Sequence, residues 1–136
     1  MSRSSPEGGS IDPAVYAFLV EEVESIPELE ALLLIWESRP KVWSSDELAR
    51  RIYVEPAAAQ NILKTLVRRR LISVTPERPE AYSYQSASSS YTDELIQAVA
   101  TTYRQQLVRI TSMIHSKPSQ AVREFARAFR FKKEGS

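Results

Sequence analysis

Residues 44–72 read SSDELARRIYVEPAAAQNILKTLVRRRLI. Ser44 has the chemistry of an N-cap, and Glu47 three residues on completes a capping box that satisfies two otherwise orphaned amide donors. Leu48, Ala49 and Ile52 then give the short helix an apolar face. Pro56 suits the first turn of a second helix, where its missing N–H costs nothing and its fixed φ helps. Ala59, Ile62, Leu63, Leu66 and Val67 recur at helical spacing and are expected to face a core. Directly afterwards Leu71, Ser73 and Thr75 alternate with Ile72 and Val74, as a half-buried strand does.

The free face of the second helix is equally regular. Ala57, Asn61, Lys64 and Arg68 line up, with Ala58, Gln60 and Thr65 beside them. Two short helices, a tight turn and a following strand describe a helix-turn-helix with a β-wing. A helix presenting small residues, amides and two cations fits a DNA major groove: Asn61 can reach a base edge, while Lys64 and Arg68 can reach bases or phosphates. A solvated face of long polar side chains is the alternative.

Working outward, Pro76-Glu77-Arg78-Pro79-Glu80 reads as the wing's turn, with Arg78 at its tip, and residues 81–85 return as its second strand. Val42-Trp43 is expected to add a very short third strand. Upstream, Asp12-Pro13 starts a helix carrying Val15, Phe18, Leu19, Val23 and Ile26, and Pro27 breaks or re-caps the chain. LEALLLIWES (residues 29–38) is apolar nearly all round, so it belongs in the middle of the fold. Downstream, one long helix is expected from about Thr92 to His115, striped by Ile96, Val99, Tyr103, Leu107, Ile110 and Ile114. A last helix opens at Pro118, with Val122, Phe125, Ala126 and Phe129 opposite Arg123, Arg127 and Arg130. The expected organisation is a disordered leader (1–10), an N-terminal helix (11–27), a winged core (28–86) and C-terminal helices (87–136).

Bulk properties narrow the function. The chain has 136 residues, no cysteine and a net charge of +1. Disulfides and thiolate sites are excluded, a reducing cytoplasm fits, and charge-driven coating of nucleic acid does not. Charge is unevenly distributed: net −5 over residues 1–43, +2 over 44–90 and +4 over 91–136. No apolar run approaches the ~20 residues that span a bilayer. His115 is the only histidine and stands without a second ligand at metal spacing, so neither a metal site nor another cofactor is expected. No phosphate-cradling loop or nucleophile–base pairing is legible, and no enzyme activity is expected.

Residues 29–85 resemble the winged helix-turn-helix regulators, most closely the MarR type. The resemblance rests on Leu48-Ala49-Arg50-Arg51, Val54-Glu55-Pro56, Leu63-Lys64-Thr65-Leu66 and Arg69-Arg70-Leu71-Ile72. It implies a mainly α fold with a small two- or three-stranded wing and extra terminal helices that knit a two-fold dimer. It implies that residues 56–70 enter a major groove and that the wing reaches toward the neighbouring minor groove. The chain departs from the type in three places. Glu55, Ala57 and Ala58 stand where Ser or Thr is common. Glu77 and Glu80 flank the wing's one cation. Arg70 replaces the usual Gly before Leu-Ile, so the helix is expected to run slightly further.

The expected DNA-contacting set is therefore Ala57, Ala58, Gln60, Asn61, Lys64, Thr65, Arg68 and Arg78, with double-stranded DNA and a second copy of the chain as partners and no membrane. Arg69 and Arg70 are read as structural, because cations at a helix C-terminus complement its dipole. Trp36, Trp43 and Tyr103 are read as core, or as the lining of an effector cavity. The competing function is a winged-helix adaptor that binds a protein partner, favoured by the alanines and the acidic wing.

Overall fold

The computed structural model describes residues 10–76 and 80–118. The leader up to residue 9, the wing tip with Arg78, and the last helix expected after Pro118 lie outside the described residues. Among the described residues, six α-helices run in the order α1 (Pro13–Glu22), α2 (Ile26–Glu37), α3 (Ser45–Ile52), α4 (Pro56–Arg68), α5 (Asp93–Gln105) and α6 (Leu107–His115). Between α4 and α5 lie β1 (Ser73–Val74), β2 (Tyr82–Ser83) and a single 3-10 turn, Ser86–Ser88.

Local chemistry sets the helix starts. The Asp12 carboxylate accepts from the Ala14 amide at 2.7 Å, and Ser25 caps α2 by accepting from Glu28. Pro27 thus sits in the first turn of α2 and re-caps the chain, so Ile26, expected on the N-terminal helix, opens α2 instead, and α1 ends at Glu22. The capping box of α3 is complete: the Ser44 amide donates to Glu47 Oε1 at 3.0 Å, and the Glu47 amide donates to Ser44 Oγ at 3.1 Å. The bond from the Ser44 amide holds the Glu47 carboxyl below its ordinary 4.5.

α2 is the centre of the fold. Leu29, Ala31, Leu32, Leu33, Ile35 and Trp36 are all buried, and α3, α4 and α6 pack against it. α1 packs on α5, and α3 packs on α4. Fully burying one aliphatic or aromatic side chain contributes roughly 1.5–3 kcal/mol, so the stripe on α2 is a principal source of stability. The sheet is a two-stranded antiparallel ladder with Ser73 opposite Ser83 and Val74 opposite Tyr82. The expected strand at Val42-Trp43 reduces to one bridge, in which Trp43 and Tyr82 exchange both backbone hydrogen bonds at 2.7 and 2.8 Å.

Two expectations need correction. The long C-terminal helix is two helices, divided at Gln106 (φ −129°, ψ 50°). The bend folds α6 back so that Ile110 and Ile114 enter the core, buries Gln106, and turns Leu107 and Val108 outward to 50% and 78% exposure. Core packing outweighs helix continuity here, and Arg109 Nη1 donates to Gln106 Oε1 at 2.9 Å across the break. The second correction concerns α4, which stops at Arg68. Arg70 takes the left-handed conformation (φ 63°), its amide donates to the Val67 carbonyl, and the Leu71 amide donates to the Leu66 carbonyl, both at 2.9 Å. This is a Schellman stop, with Leu66 and Leu71 both buried beneath it. Arginine does here what glycine usually does.

Candidate nucleic-acid interface

The packing of α4 separates its two faces. Ala59, Ile62, Leu63 and Leu66 are buried, and Val67 is half-buried. Ala57, Gln60, Asn61, Lys64 and Arg68 are exposed, while Ala58 and Thr65 are half-buried. Among the described residues, Gln60, Asn61, Lys64 and Arg68 have no side-chain hydrogen bond or ion pair. Their polar groups are unspent on the chain's own fold. Glu55, at the N-cap, makes no side-chain cap bond, so the first amides of α4 are not covered by it.

The wing meets this face. A cleft of about 200 Å³ is lined by Lys64, Val67 and Arg68 of α4, Val74 of β1, and Glu80 and Tyr82. On the other side of Glu80 and Tyr82 a second cleft is lined by Ser44, Ser45, Asp46 and Gln60. The start of α3, the free face of α4 and the start of β2 therefore form one continuous surface. Tyr82 is its hinge point: its ring is buried, its backbone pairs with Trp43, and its hydroxyl donates to Glu80 Oε1 at 2.8 Å. Burial, reinforced by the Glu80 carboxylate, pushes the Tyr82 phenol up to about 12.

Of the residues expected at the interface, this surface gathers Gln60, Lys64 and Arg68 around the two clefts and leaves Asn61 exposed on the same helix face. Arg78 lies outside the described residues. Ser44, Ser45, Val74 and Tyr82 were not expected there. The period-2 pattern of 81–85 placed Tyr82 in the strand but could not say that its hydroxyl carries a carboxylate to α4.

The remaining candidates have structural surroundings. Arg69 turns away from the free face and pairs with α1. The Trp36 ring is buried under the Arg39 guanidinium, 4.4 Å from its centroid. Trp43 is buried and donates from Nε1 to Ser38 Oγ at 2.9 Å. Tyr103 borders a surface groove with Glu30, Leu33, Leu34, Glu37, Arg51 and Arg104. Its hydroxyl donates to Glu30 Oε2 at 3.0 Å. No described helix is long and apolar enough to cross a membrane, and no cluster of three metal-ligating side chains occurs among the described residues.

Helix-turn-helix and wing together make this a winged-helix fold. No protein-family model and no curated protein matches the sequence. Solved structures do resemble it. ZitR from Lactococcus lactis is 15% identical, covering 97% of this chain and 84% of that one at a TM-score of 0.50. RV1404 from Mycobacterium tuberculosis is 20% identical, covering 90% of this chain and 78% of that one at 0.51. Sco5413, a MarR family transcriptional regulator from Streptomyces coelicolor, is 18% identical, covering 92% and 81% at 0.49. ZitR has also been solved in complex with DNA. At such identities the likeness speaks for the fold. MarR-family regulators stand among the structures this chain resembles.

Proposed function

We propose that the chain binds double-stranded DNA selectively, as a homodimeric, non-enzymatic transcriptional regulator of the cytoplasm. The observation that carries this reading is the face of α4. Gln60, Asn61, Lys64 and Arg68 are exposed, have no internal partner among the described residues, and stand beside a wing. In this reading Asn61 and Gln60 meet base edges, Lys64 and Arg68 meet bases or phosphates, and Ala57 and Ala58 offer methyl contacts to thymine. Thr65 and Arg78 complete the set. Tyr16 of α1 and Leu107 and Val108 of α6 are exposed apolar side chains, and the proposed dimer covers them with a second copy. Two α4 helices about one turn of DNA apart then read successive major grooves.

A second reading keeps the fold and changes the partner. The cleft beside α4 is lined by Val67, Val74 and the Tyr82 ring together with Lys64, Arg68 and the Glu80 carboxylate. Its apolar walls and its carboxylate suit a protein segment. Gel filtration followed by selection from random genomic duplexes separates the two. Enriched palindromic fragments support the regulator; a chain that retains no duplex at low salt supports the adaptor.

A further inference from the structure

The C-terminal end of α1 collects side chains from three distant parts of the chain. Arg69, immediately after α4, donates from Nη1 to the Glu21 carbonyl at 2.9 Å and pairs with Glu22 Oε1 at 3.3 Å, while its Nη2 lies 3.6 Å from Glu24 Oε2. Lys117, just past α6, donates from Nζ to the carbonyls of Leu19 at 3.0 Å, Val20 at 2.7 Å, and Val23. Tyr91, ahead of α5, donates to Glu22 Oε2 at 2.6 Å. The last carbonyls of a helix lack intrahelical partners and carry the negative end of its dipole. Here two cations answer that demand, one from the end of α4 and one from the end of α6.

Arg69 is suited to hold direction as well as charge. Its guanidinium is a rigid planar fork, its side chain is only 13% exposed, and its partners include two carboxylates and a carbonyl. α4 cannot swing relative to α1 without breaking several of these bonds together. The corner continues into α2, because the Glu24 amide donates to Glu28 Oε1 at 3.1 Å. Arg69 therefore lies on the opposite side of α4's end from the free face, in the joint between the winged unit and the terminal helices.

We propose that Arg69 is a positioning residue for DNA binding: it locks the direction of α4 to the corner where α1 meets the end of α6. The inference rests on the DNA-binding reading above. Lys117, whose Nζ donates to the end of α1, belongs to the same lock. Displacing the end of α6 then changes how α4 is presented, with no change at the bases.

The test uses the full chain and a duplex chosen by the genomic selection, with half-site spacing varied. Arg69→Lys keeps the charge and loses the fork; Arg69→Met loses both; Lys117→Met loosens the far side of the corner. All three are expected to weaken the preferred duplex, Arg69→Met by about tenfold, and to flatten the spacing preference. The salt slope of binding stays at the wild-type value, because no phosphate contact is lost. Thermal unfolding identifies any variant that merely fails to fold, and Arg69→Lys then decides. A salt slope reduced by about one in Arg69→Met makes Arg69 a phosphate contact and overturns the proposal. Wild-type spacing preference in both Arg69→Lys and Lys117→Met overturns it too, while leaving DNA binding intact. A wild-type chain that binds no duplex removes the DNA reading and this inference together.

Discussion

The Tyr82 hydroxyl donates to Glu80 Oε1 at 2.8 Å, and that bond holds a carboxylate between the two clefts that flank the free face of α4. A negative charge so close to an expected phosphate path opposes every duplex alike. Removing one unit charge near a protein surface changes such an interaction by about 0.5–1 kcal/mol at ~0.1 M salt. Glu80→Gln, which keeps the acceptor for Tyr82, is therefore expected to tighten binding to all duplexes by about threefold to fivefold. Anisotropy titrations at rising salt should show the gain fading. Unchanged affinity at low salt would place Glu80 away from the DNA.

Asn61 and Lys64 are neighbours on α4 with different expected tasks. Asn61→Ala is expected to relax base preference at one position per half-site, a change of about 1–3 kcal/mol in discrimination. Lys64→Ala is expected to weaken all duplexes evenly and to lower the salt slope by about one. Competition titrations with base-substituted duplexes distinguish the two, and equal behaviour of both variants removes the division of labour.

Arg70 sits at φ 63° in the Schellman stop of α4. A side chain in this conformation costs about 1–2 kcal/mol, and glycine avoids that cost while losing about 0.5–1 kcal/mol of chain entropy on folding. Arg70→Gly is accordingly expected to raise stability by about 0.5–1 kcal/mol. Denaturant unfolding at constant m-value checks it. A loss of stability would mean that the Arg70 side chain contributes more than its backbone costs.

Alkaline pH probes three tyrosine hydroxyl contacts to carboxylates. Tyr82, Tyr91 and Tyr103 are each pushed from 10.0 up to about 12, first by burial and then by the carboxylates of Glu80, Glu22 and Glu30. A raised folded value means the unfolded chain loses its phenolic protons first. The stability these groups contribute is complete below pH 10 and disappears as pH rises from 10 through about 12. Melting temperatures should fall across that interval, and Tyr91→Phe should fall less steeply than the parent. A parallel decline in both would remove Tyr91 from the set.

The parts of this fold legible in the amino-acid order are those set by neighbours a few residues apart. The capping box of Ser44 and Glu47, the start of α1 at Asp12-Pro13 and the buried stripe of α4 each depend on spacing within one or two turns, and each stands in the structure. The division at Gln106 has no such signal, since neither Gly nor Pro marks it. It exists because Ile110 and Ile114 reach the core only if the helix bends. The end of α4 is hidden for a related reason: a non-glycine residue at the left-handed position, Arg70, leaves the stop unmarked. Within the candidate site, the exposed row on α4 follows from helical period alone. The bond between Tyr82 and Glu80, and the partners of Arg69 some 47 residues away, depend on how separate elements pack, which no local pattern records.

The three glycines of the chain stand at positions 8, 9 and 135, so the whole interval between Ser10 and Glu134 contains none. Both left-handed turns of the helix pair are consequently made by bulky residues, Tyr53 at φ 60° and Arg70, and Tyr53 is 92% exposed. A chain without glycine explores fewer backbone shapes when unfolded, which lowers the entropy surrendered on folding. Strain at two corners is thus set against a stiffer denatured ensemble, and thermal robustness in this protein should owe as much to the state it leaves as to the contacts it makes.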